Sequence, residues 1–193
     1  MDVTPDTIVS LGLGLGLAAA CGFRVFVPLL ILSLAARYGY VPLSAGWEWM
    51  ATNGALIAFA TATLIEVLAY YVPWLDHALD TIATPAAVVA GMVTSASVLG
   101  DLPPLLKWTA IVIGGGGAAA LVQGSTVALR AGSGATTAGL ANPAVATVEL
   151  LGSTATALLA IVVPLLVLVV LAVFFFLVYR LTRRLFRWRR ATT

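Results

Sequence analysis

Residues 157–179 read ALLAIVVPLLVLVVLAVFFFLVY and contain no charged side chain. A helix of about 20 mostly apolar residues is enough to cross the hydrocarbon core of a bilayer. The residues that follow, 180–190, read RLTRRLFRWRR and contain six arginines. Arginines directly after an apolar run are typical of the cytoplasmic end of a membrane helix. This stretch predicts a helical protein that is embedded in a membrane.

The composition of the whole chain supports the same prediction. Hydrophobic residues make up 61% of the chain, charged residues only 9%, and the mean hydropathy is +1.06. A soluble domain usually has about 25% charged residues. We therefore expect an all-α integral membrane protein, with one transmembrane domain over residues 1–179 and a basic cytoplasmic tail over 180–193. Its main partner is the lipid bilayer. The arginine cluster is an orientation signal that can also contact anionic headgroups, and does not indicate nucleic acid.

Five apolar segments are candidates for transmembrane helices. They run over about residues 7–36, 53–71, 85–99, 105–129 and 142–179. The first and last are too long for one simple crossing, because a 30-residue helix spans about 45 Å and the hydrocarbon core only about 30 Å. We expect both to be broken or re-entrant helices. The alternative is a long, tilted helix that projects from the bilayer.

The distribution of lysine and arginine predicts the orientation. The arginines at 180–190 belong in the cytoplasm, so five crossings of the cell inner membrane place the N-terminus outside. Arg37 and Lys107 then fall at inner loops, and the loop with Asp76, His77 and Asp80 falls outside. Arg130 is the exception, since it lies on the outer side or within the membrane.

Glycines suggest close helix packing and a weak internal repeat. Gly12 and Gly16 form a GxxxG step, which brings helix backbones together within one chain or between protomers. A glycine-rich helix precedes Glu66, and a second one, with the run 114–117, precedes Glu149. Duplications of this kind occur in transporters. A chain of 193 residues often needs an oligomer to enclose a path, so we expect a homo-oligomer.

Four charged residues are candidates for burial inside the bilayer: Arg24, Glu66, Arg130 and Glu149. Each costs about 2.5–3.5 kcal/mol to insert on translocon scales, and therefore needs a partner. Two buried ion pairs, each of one arginine and one glutamate, are the simplest structural interpretation. A polar cavity or ion path at mid-depth is the functional one, and we favour it because charges inside a membrane usually serve function.

A second group follows Pro73. If Pro73 opens a helix, Asp76 and Asp80 lie one turn apart on one face, with His77 beside them. Like charges at this spacing repel, so an arginine, a shared proton or a cation is needed. Carboxylates and an imidazole suit a divalent metal such as Zn, Mn or Fe. The alternative is a solvated helix start with acidic residues near its N-terminus.

Three motifs resemble the bacterial membrane family catalogued as domain of unknown function 4126. Residues 18–30, AAACGFRVFVPLL, are similar to its opening motif. The central motif is matched by an acid followed by an Asp-His-x-x-Asp step and a Thr-Pro, and the later motif by an Asn-Pro and an acid. The matching residues are Glu66, Pro73, Asp76, His77, Asp80, Thr84, Pro85, Ala90 and Gly91, and then Gly139, Asn142, Pro143 and Glu149. Trp74 departs from the family, where glycine is expected, and so does Arg24, where a polar residue such as asparagine is expected.

The resemblance implies a membrane protein but no activity, because the family has none assigned. It groups Glu66, Asp76, His77, Asp80, Asn142 and Glu149 as one site. Our leading hypothesis is a small transporter or channel for a cation or small polar solute, with Glu66 and Glu149 as binding carboxylates and Arg24, Arg130 and Asn142 as further contacts. The alternatives are a membrane-embedded enzyme that uses a divalent metal at Asp76, His77 and Asp80 to act on a lipid or isoprenoid, and a non-catalytic scaffold. An enzyme is the less favoured of these interpretations.

Overall fold

The computed structural model describes residues 5–72, 75–100 and 102–191, without the side chains at 75–78, 181, 182 and 184–191. Every regular element in these ranges is helical. A 3₁₀ turn covers Glu48–Ala51, and π-helical turns at Ala110–Gly116 join α5 to α6. The eight α-helices are α1 Pro5–Phe23, α2 Phe26–Arg37, α3 Asn53–Ala69, α4 Leu75–Val98, α5 Pro104–Thr109, α6 Gly117–Thr137, α7 Asn142–Val162 and α8 Pro164–Ala191.

The predicted all-α membrane fold is confirmed, but the count of five spans is not exact. Four helical stretches in the described chain are long and apolar enough to cross a bilayer, which makes this a multi-pass membrane protein. They are Pro5–Phe23, Leu79–Val98, Pro104–Thr137 and Asn142–Val162. Three further apolar helices are shorter: Phe26–Arg37, Asn53–Ala69 and Pro164–Arg180.

The first apolar segment is broken, as predicted. Only Arg24 and Val25 separate α1 from α2. Pro28 lies in the first turn of α2, where its missing N–H removes no hydrogen bond, but it could not continue a helix from α1. The break therefore lies just before the first turn of α2, where proline is tolerated.

The last apolar segment is also broken, and Glu149 and Gly152 both lie inside α7, before the break. The break is at Val163, whose φ of −139° and ψ of 73° are not helical. Pro164 causes it, because proline disfavours the helical conformation of the residue before it. α8 then continues as one helix from Pro164 to Ala191, so no break marks the predicted start of the basic tail. The division into domain and tail stays a prediction.

α1 lies at the centre of the bundle and packs against α4, α6, α7 and α8. α4 runs antiparallel to it: a Cβ at Gly14 would lie 3.3 Å from Val98, and a Cβ at Gly91 would lie 3.4 Å from Ala18. The start of α4, with Asp80, is therefore at the end of the bundle where α1 finishes.

α8 runs parallel to α1. Gly12 packs against Pro164 and Gly16 packs against Val167, and the rings of Phe23 and Phe174 are 6.3 Å apart. The arginines from Arg180 onward thus follow at the same end as Asp80. Our five-span prediction placed the loop around Asp80 on the opposite side from the tail, and Arg37 and Lys107 on the same side as the tail. Both placements were wrong, because the chain reverses at both breaks.

The glycines allow this packing. A Cβ at Gly16 would lie 2.6 Å from the Ala160 Cβ, and one at Gly12 would lie 2.6 Å from the Pro164 carbonyl oxygen. The GxxxG step therefore packs α1 against α7 and α8 of its own chain. The two glycine-rich segments lie in different elements, α1 and the π-to-α6 junction, and the internal repeat stays a prediction.

We predict that Gly22→Ala destabilises the bundle by about 1–3 kcal/mol, as overpacking does in tight cores. The new Cβ would lie 2.5 Å from the Ala119 carbonyl oxygen and 2.6 Å from the Val122 Cβ, both on α6. Denaturant titration of the detergent-solubilised protein measures the loss. Gly124→Ala is the matched control, because nothing lies within 4 Å of its Cβ position. Equal stability of the two variants would contradict the packing described above.

Candidate functional site

Arg24 sits in the break between α1 and α2 and is 2% exposed. Its Nη2 donates a hydrogen bond to the Ala146 carbonyl oxygen at 2.9 Å and lies 3.4 Å from Glu149 Oε2. Its Nε and Nη1 are buried and have no hydrogen-bond partner in the described part of the chain. From the break between α1 and α2, the guanidinium thus contacts two residues of α7.

Arg130 joins two helices through their carboxylates. Its Nε donates to Glu149 Oε1 at 2.9 Å, and its Nη2 donates to Glu149 Oε2. Its Nη1 donates to Asp80 Oδ1 at 2.7 Å. The side chain thus bridges α4 and α7 from α6. Both arginines contact Glu149, so the predicted two separate arginine–glutamate pairs are not what forms.

Glu66 bonds to backbone instead of to an arginine. Its Oε1 accepts from the Val25 N–H at 2.7 Å, and its Oε2 accepts from the Phe26 N–H at 3.0 Å. These N–H groups open α2 and have no carbonyl one turn earlier to bond to. The carboxylate also faces the positive end of the α2 dipole. Glu66 of α3 therefore holds the break between α1 and α2 in place.

Tyr70 lies between the two arginines. The Arg24 and Arg130 guanidinium carbons are 3.9 and 4.0 Å from the centre of its ring. Its hydroxyl donates to Asp80 Oδ1 at 3.2 Å. The ring thus separates two like charges with an electron-rich face toward each. Sequence analysis missed Tyr70, since a tyrosine just after an apolar helix is common at membrane interfaces and carries no motif.

A cavity of about 340 Å³, here called the Arg130 cavity, adjoins this network. Asp80 and Arg130 belong both to its wall and to the network, and Asn142 adds an amide that is 3% exposed. Thr81 and Thr84 line it as well, and sequence analysis did not single them out as site residues. The volume is that of about ten water molecules in the liquid. A hydrated ion or a small polar solute fits this space.

The predicted site residues therefore come together for the most part. Arg24, Arg130, Asp80 and Glu149 form one network, Asn142 shares its cavity, and Glu66 joins through the backbone beside Arg24. Arg130 is seven residues before the end of α6, and Glu149 is seven after the start of α7. Each thus lies about 10 Å from the α6–α7 turn, nearer to one end of the bundle than the expected mid-depth.

The predicted metal site is only partly within the described structure. The side chains of Asp76 and His77 lie outside the described residues, although both belong to the backbone of α4. Asp80 is described, and its Oδ1 accepts hydrogen bonds from Arg130 and Tyr70. Among the described side chains no three histidines, cysteines or acids gather to hold a metal. Metal binding at these residues stays a prediction.

The fold and the network define a multi-pass helical membrane protein with a compensated cluster of charges at the breaks and ends of its helices. A family model called domain of unknown function (DUF4126) matches residues 11–184, and the chain belongs to this family. No curated protein and no solved structure shows detectable similarity to the chain. The resemblance noted from the three motifs is thus confirmed, and the activity has to be argued from the site itself.

We predict that Tyr70→Leu destabilises the protein more than Tyr70→Phe. Leucine removes both contacts with the arginines, each worth about 0.5–2 kcal/mol. Phenylalanine keeps the ring and loses only the hydroxyl bond to Asp80, worth about 0.5–1.5 kcal/mol. Thermal unfolding in detergent gives the order of the two midpoints. If both variants melt at the same temperature, the ring does not separate the arginines in the way described.

Proposed function

We propose that this protein is a small membrane transporter for a cation or small polar solute that binds in the Arg130 cavity. One observation carries the proposal: Asp80 and Arg130 line the cavity and are also members of the buried network. A solute in the cavity would therefore touch the charges that hold α4, α6 and α7 together. Binding and helix arrangement are coupled through the same two side chains.

The energy of buried charges supports a functional role. Breaking a buried ion pair is costly, but replacing the whole pair with apolar residues is often neutral or stabilising. A bundle that needed only stability could use apolar contacts here, as it does around Leu17 and Leu32. The network instead keeps three carboxylates and two guanidiniums, Glu66, Asp80 and Glu149 against Arg24 and Arg130. The excess of carboxylates favours a cation over an anion.

The contacts suggest how binding could change the structure. A cation near Asp80 would compete with Arg130 for the same carboxylate, as would a proton. Arg130, once released from Asp80, keeps its two bonds to Glu149, which Arg24 also contacts. Arg24 has two further nitrogens with no partner among the described groups, so it can leave Glu149 for another acceptor. Because Arg24 lies in the α1–α2 break, that movement reaches the central helix.

The membrane, orientation and assembly are also part of the proposal. The six arginines of residues 180–190 favour a cytoplasmic C-terminus in a cell inner membrane and an outside N-terminus. The Arg130 cavity then opens toward the cytoplasm, because α8 ends on that side. A homo-oligomer remains our expectation. α3 is the surface that suits it, since only Ala55 and Glu66 of its 17 residues are buried.

Flux into proteoliposomes tests the transport proposal. Wild-type protein should move at least one of Na⁺, K⁺, Mg²⁺ or Ca²⁺, and Asp80→Asn should reduce that flux at least about tenfold, because a charge-assisted contact is worth about 1.5–3 kcal/mol. Asparagine keeps an oxygen for Tyr70 and Arg130, so the fold should survive. Glu48→Gln is the control, since Glu48 is exposed and bonds only to its own loop at Gly46.

The result that contradicts the proposal is equally definite. If no cation and no small polar solute crosses faster than in protein-free liposomes, the protein is not a transporter of this class. If wild type, Asp80→Asn and Glu66→Gln all conduct equally, the carboxylates do not carry the transport. Size-exclusion profiles of each variant in detergent separate loss of flux from loss of fold.

A further inference from the structure

A second cavity lies at the other end of the bundle. It has a volume of about 410 Å³ and is formed by the start of α1, the end of α4 and the loop after α2. We call it the Ser44 cavity. Asp6, Thr7 and Ser10 line it from α1, and Val98 and Gly100 line it from the end of α4. None of these residues contributes to the arginine network.

Ser44 marks this cavity as a binding site. It is 8% exposed, lines the cavity, and its Oγ is buried and has no hydrogen-bond partner among the described residues. A buried hydroxyl without a partner is costly, by about 1–3 kcal/mol. Its backbone is held firmly, because the Ser44 N–H donates to the Ser97 carbonyl oxygen at 2.7 Å. The hydroxyl is therefore fixed beside a cavity and still needs a partner.

The groups around Ser44 are mainly oxygen ligands. Asp6 supplies a carboxylate, while Ser10 and Thr7 supply further hydroxyls. The end of α4 supplies the negative pole of a helix dipole. Its Ser97 carbonyl oxygen already accepts from the Ser44 N–H, and the Gly100 carbonyl oxygen accepts from Lys107 Nζ at 3.2 Å. Carboxylate, hydroxyl and carbonyl oxygens are the ligands that hard cations prefer. The chemistry thus favours a cation.

The two cavities share α4 as a wall. Val98 lines the Ser44 cavity, and Thr84 lines the Arg130 cavity. These residues are fourteen positions apart in α4, which is about 21 Å along the helix axis. Since a hydrocarbon core is about 30 Å thick, the cavities lie toward opposite faces of the membrane. Among the residues that the structure describes, each is lined by one carboxylate and at least two hydroxyl side chains.

The bundle between the cavities is closed by tight packing. A Cβ at Gly91 would lie 2.7 Å from the Ala119 Cβ, and Ser95 Oγ on α4 donates to the Gly14 carbonyl oxygen of α1 at 3.1 Å. Thr94 on the same helix is fully buried and donates to the Gly91 carbonyl oxygen. The structure is thus sealed at its centre, with hydroxyl groups in the seal.

We propose that the Ser44 cavity is a second cation site, which opens on the membrane face opposite to the Arg130 cavity. This proposal rests on the proposed function, and it adds the second opening of the transport pathway. A cation bound at Asp6 and Ser44 on one face would reach the Asp80 carboxylate on the other when the seal around Ser95 opens. Alternation between the two sites is the simplest way for a sealed bundle to move an ion.

Cysteine labelling in sealed vesicles tests the second site. Ser10→Cys and Thr84→Cys are each treated with a membrane-impermeant maleimide from one face and then the other. They should react from opposite faces, and Na⁺, K⁺, Mg²⁺ or Ca²⁺ should slow the reaction more than choline does. Wild type should remain unlabelled because its Cys21 is fully buried. Ile8→Cys and Leu129→Cys are matched controls on α1 and α6, exposed but outside both cavities.

A substitution of Asp6 tests the second cation site quantitatively. Asp6→Asn should weaken cation protection of Ser10→Cys about tenfold, because it removes one charged contact. Glu48→Gln should leave the cation protection of Ser10→Cys unchanged, although Glu48 lies in the connection between α2 and α3, as Ser44 does. Reaction of Ser10→Cys and Thr84→Cys from the same face overturns the proposal. So does a Ser10→Cys reaction that is absent from both faces or insensitive to every cation.

This experiment fails separately from the flux assay. If cations protect Ser10→Cys from one face but no flux is found, the second site stands and the transport function does not. If flux depends on Asp80 while Ser10→Cys never reacts, transport stands and the Ser44 cavity is not its second mouth. A variant that is misfolded is recognised by labelling of Cys21.

Discussion

Arg130 is the residue on which the arrangement of the helices depends, because it holds carboxylates from α4 and α7 at once. In hydrocarbon no water is present to solvate a charge that lacks a partner. Asp80, Glu149 and Arg24 must therefore be placed within reach of one another before the bundle is stable. The tight packing of α1 against α4, α6 and α7 serves this placement, and glycines such as Gly22 make that packing possible.

The hydrocarbon of the bilayer also restricts the backbone. The break between α1 and α2 exposes two N–H groups, and Glu66 satisfies both from a third helix. One carboxylate thus replaces the missing helical carbonyls, and it positions Arg24 at the side of Glu149. The break and the charge network are therefore a single feature. A change in either one is transmitted to the other through two consecutive residues, Arg24 and Val25.

Two cavities lie at opposite ends of one tightly packed bundle. The Arg130 cavity opens where the charges are, and the Ser44 cavity opens where α1 begins. Buried hydroxyl groups of Thr94 and Ser95 lie between them and donate to the carbonyl oxygens of Gly91 in the same helix and of Gly14 in α1.

The sequence by itself determined that this protein is embedded in a lipid bilayer. It also determined the helical class, the family and most of the charged site. Apolar runs without charges can be stable only in a bilayer, and charges within them must meet, so Arg24, Arg130 and Glu149 were predictable as partners. Breaks in the first and last apolar segments were predicted too, and Pro28 and Pro164 mark where they lie, although Pro85 is tolerated inside α4. Tertiary structure decided which partners form: Glu66 bonds to backbone, Tyr70 separates the arginines, and Asp80 lies at the same end of the bundle as the end of α8. These contacts depend on the reversal of the chain at both breaks. The direction of the chain after a break is set by packing between segments that are distant in sequence, and a local sequence pattern carries no information on that packing.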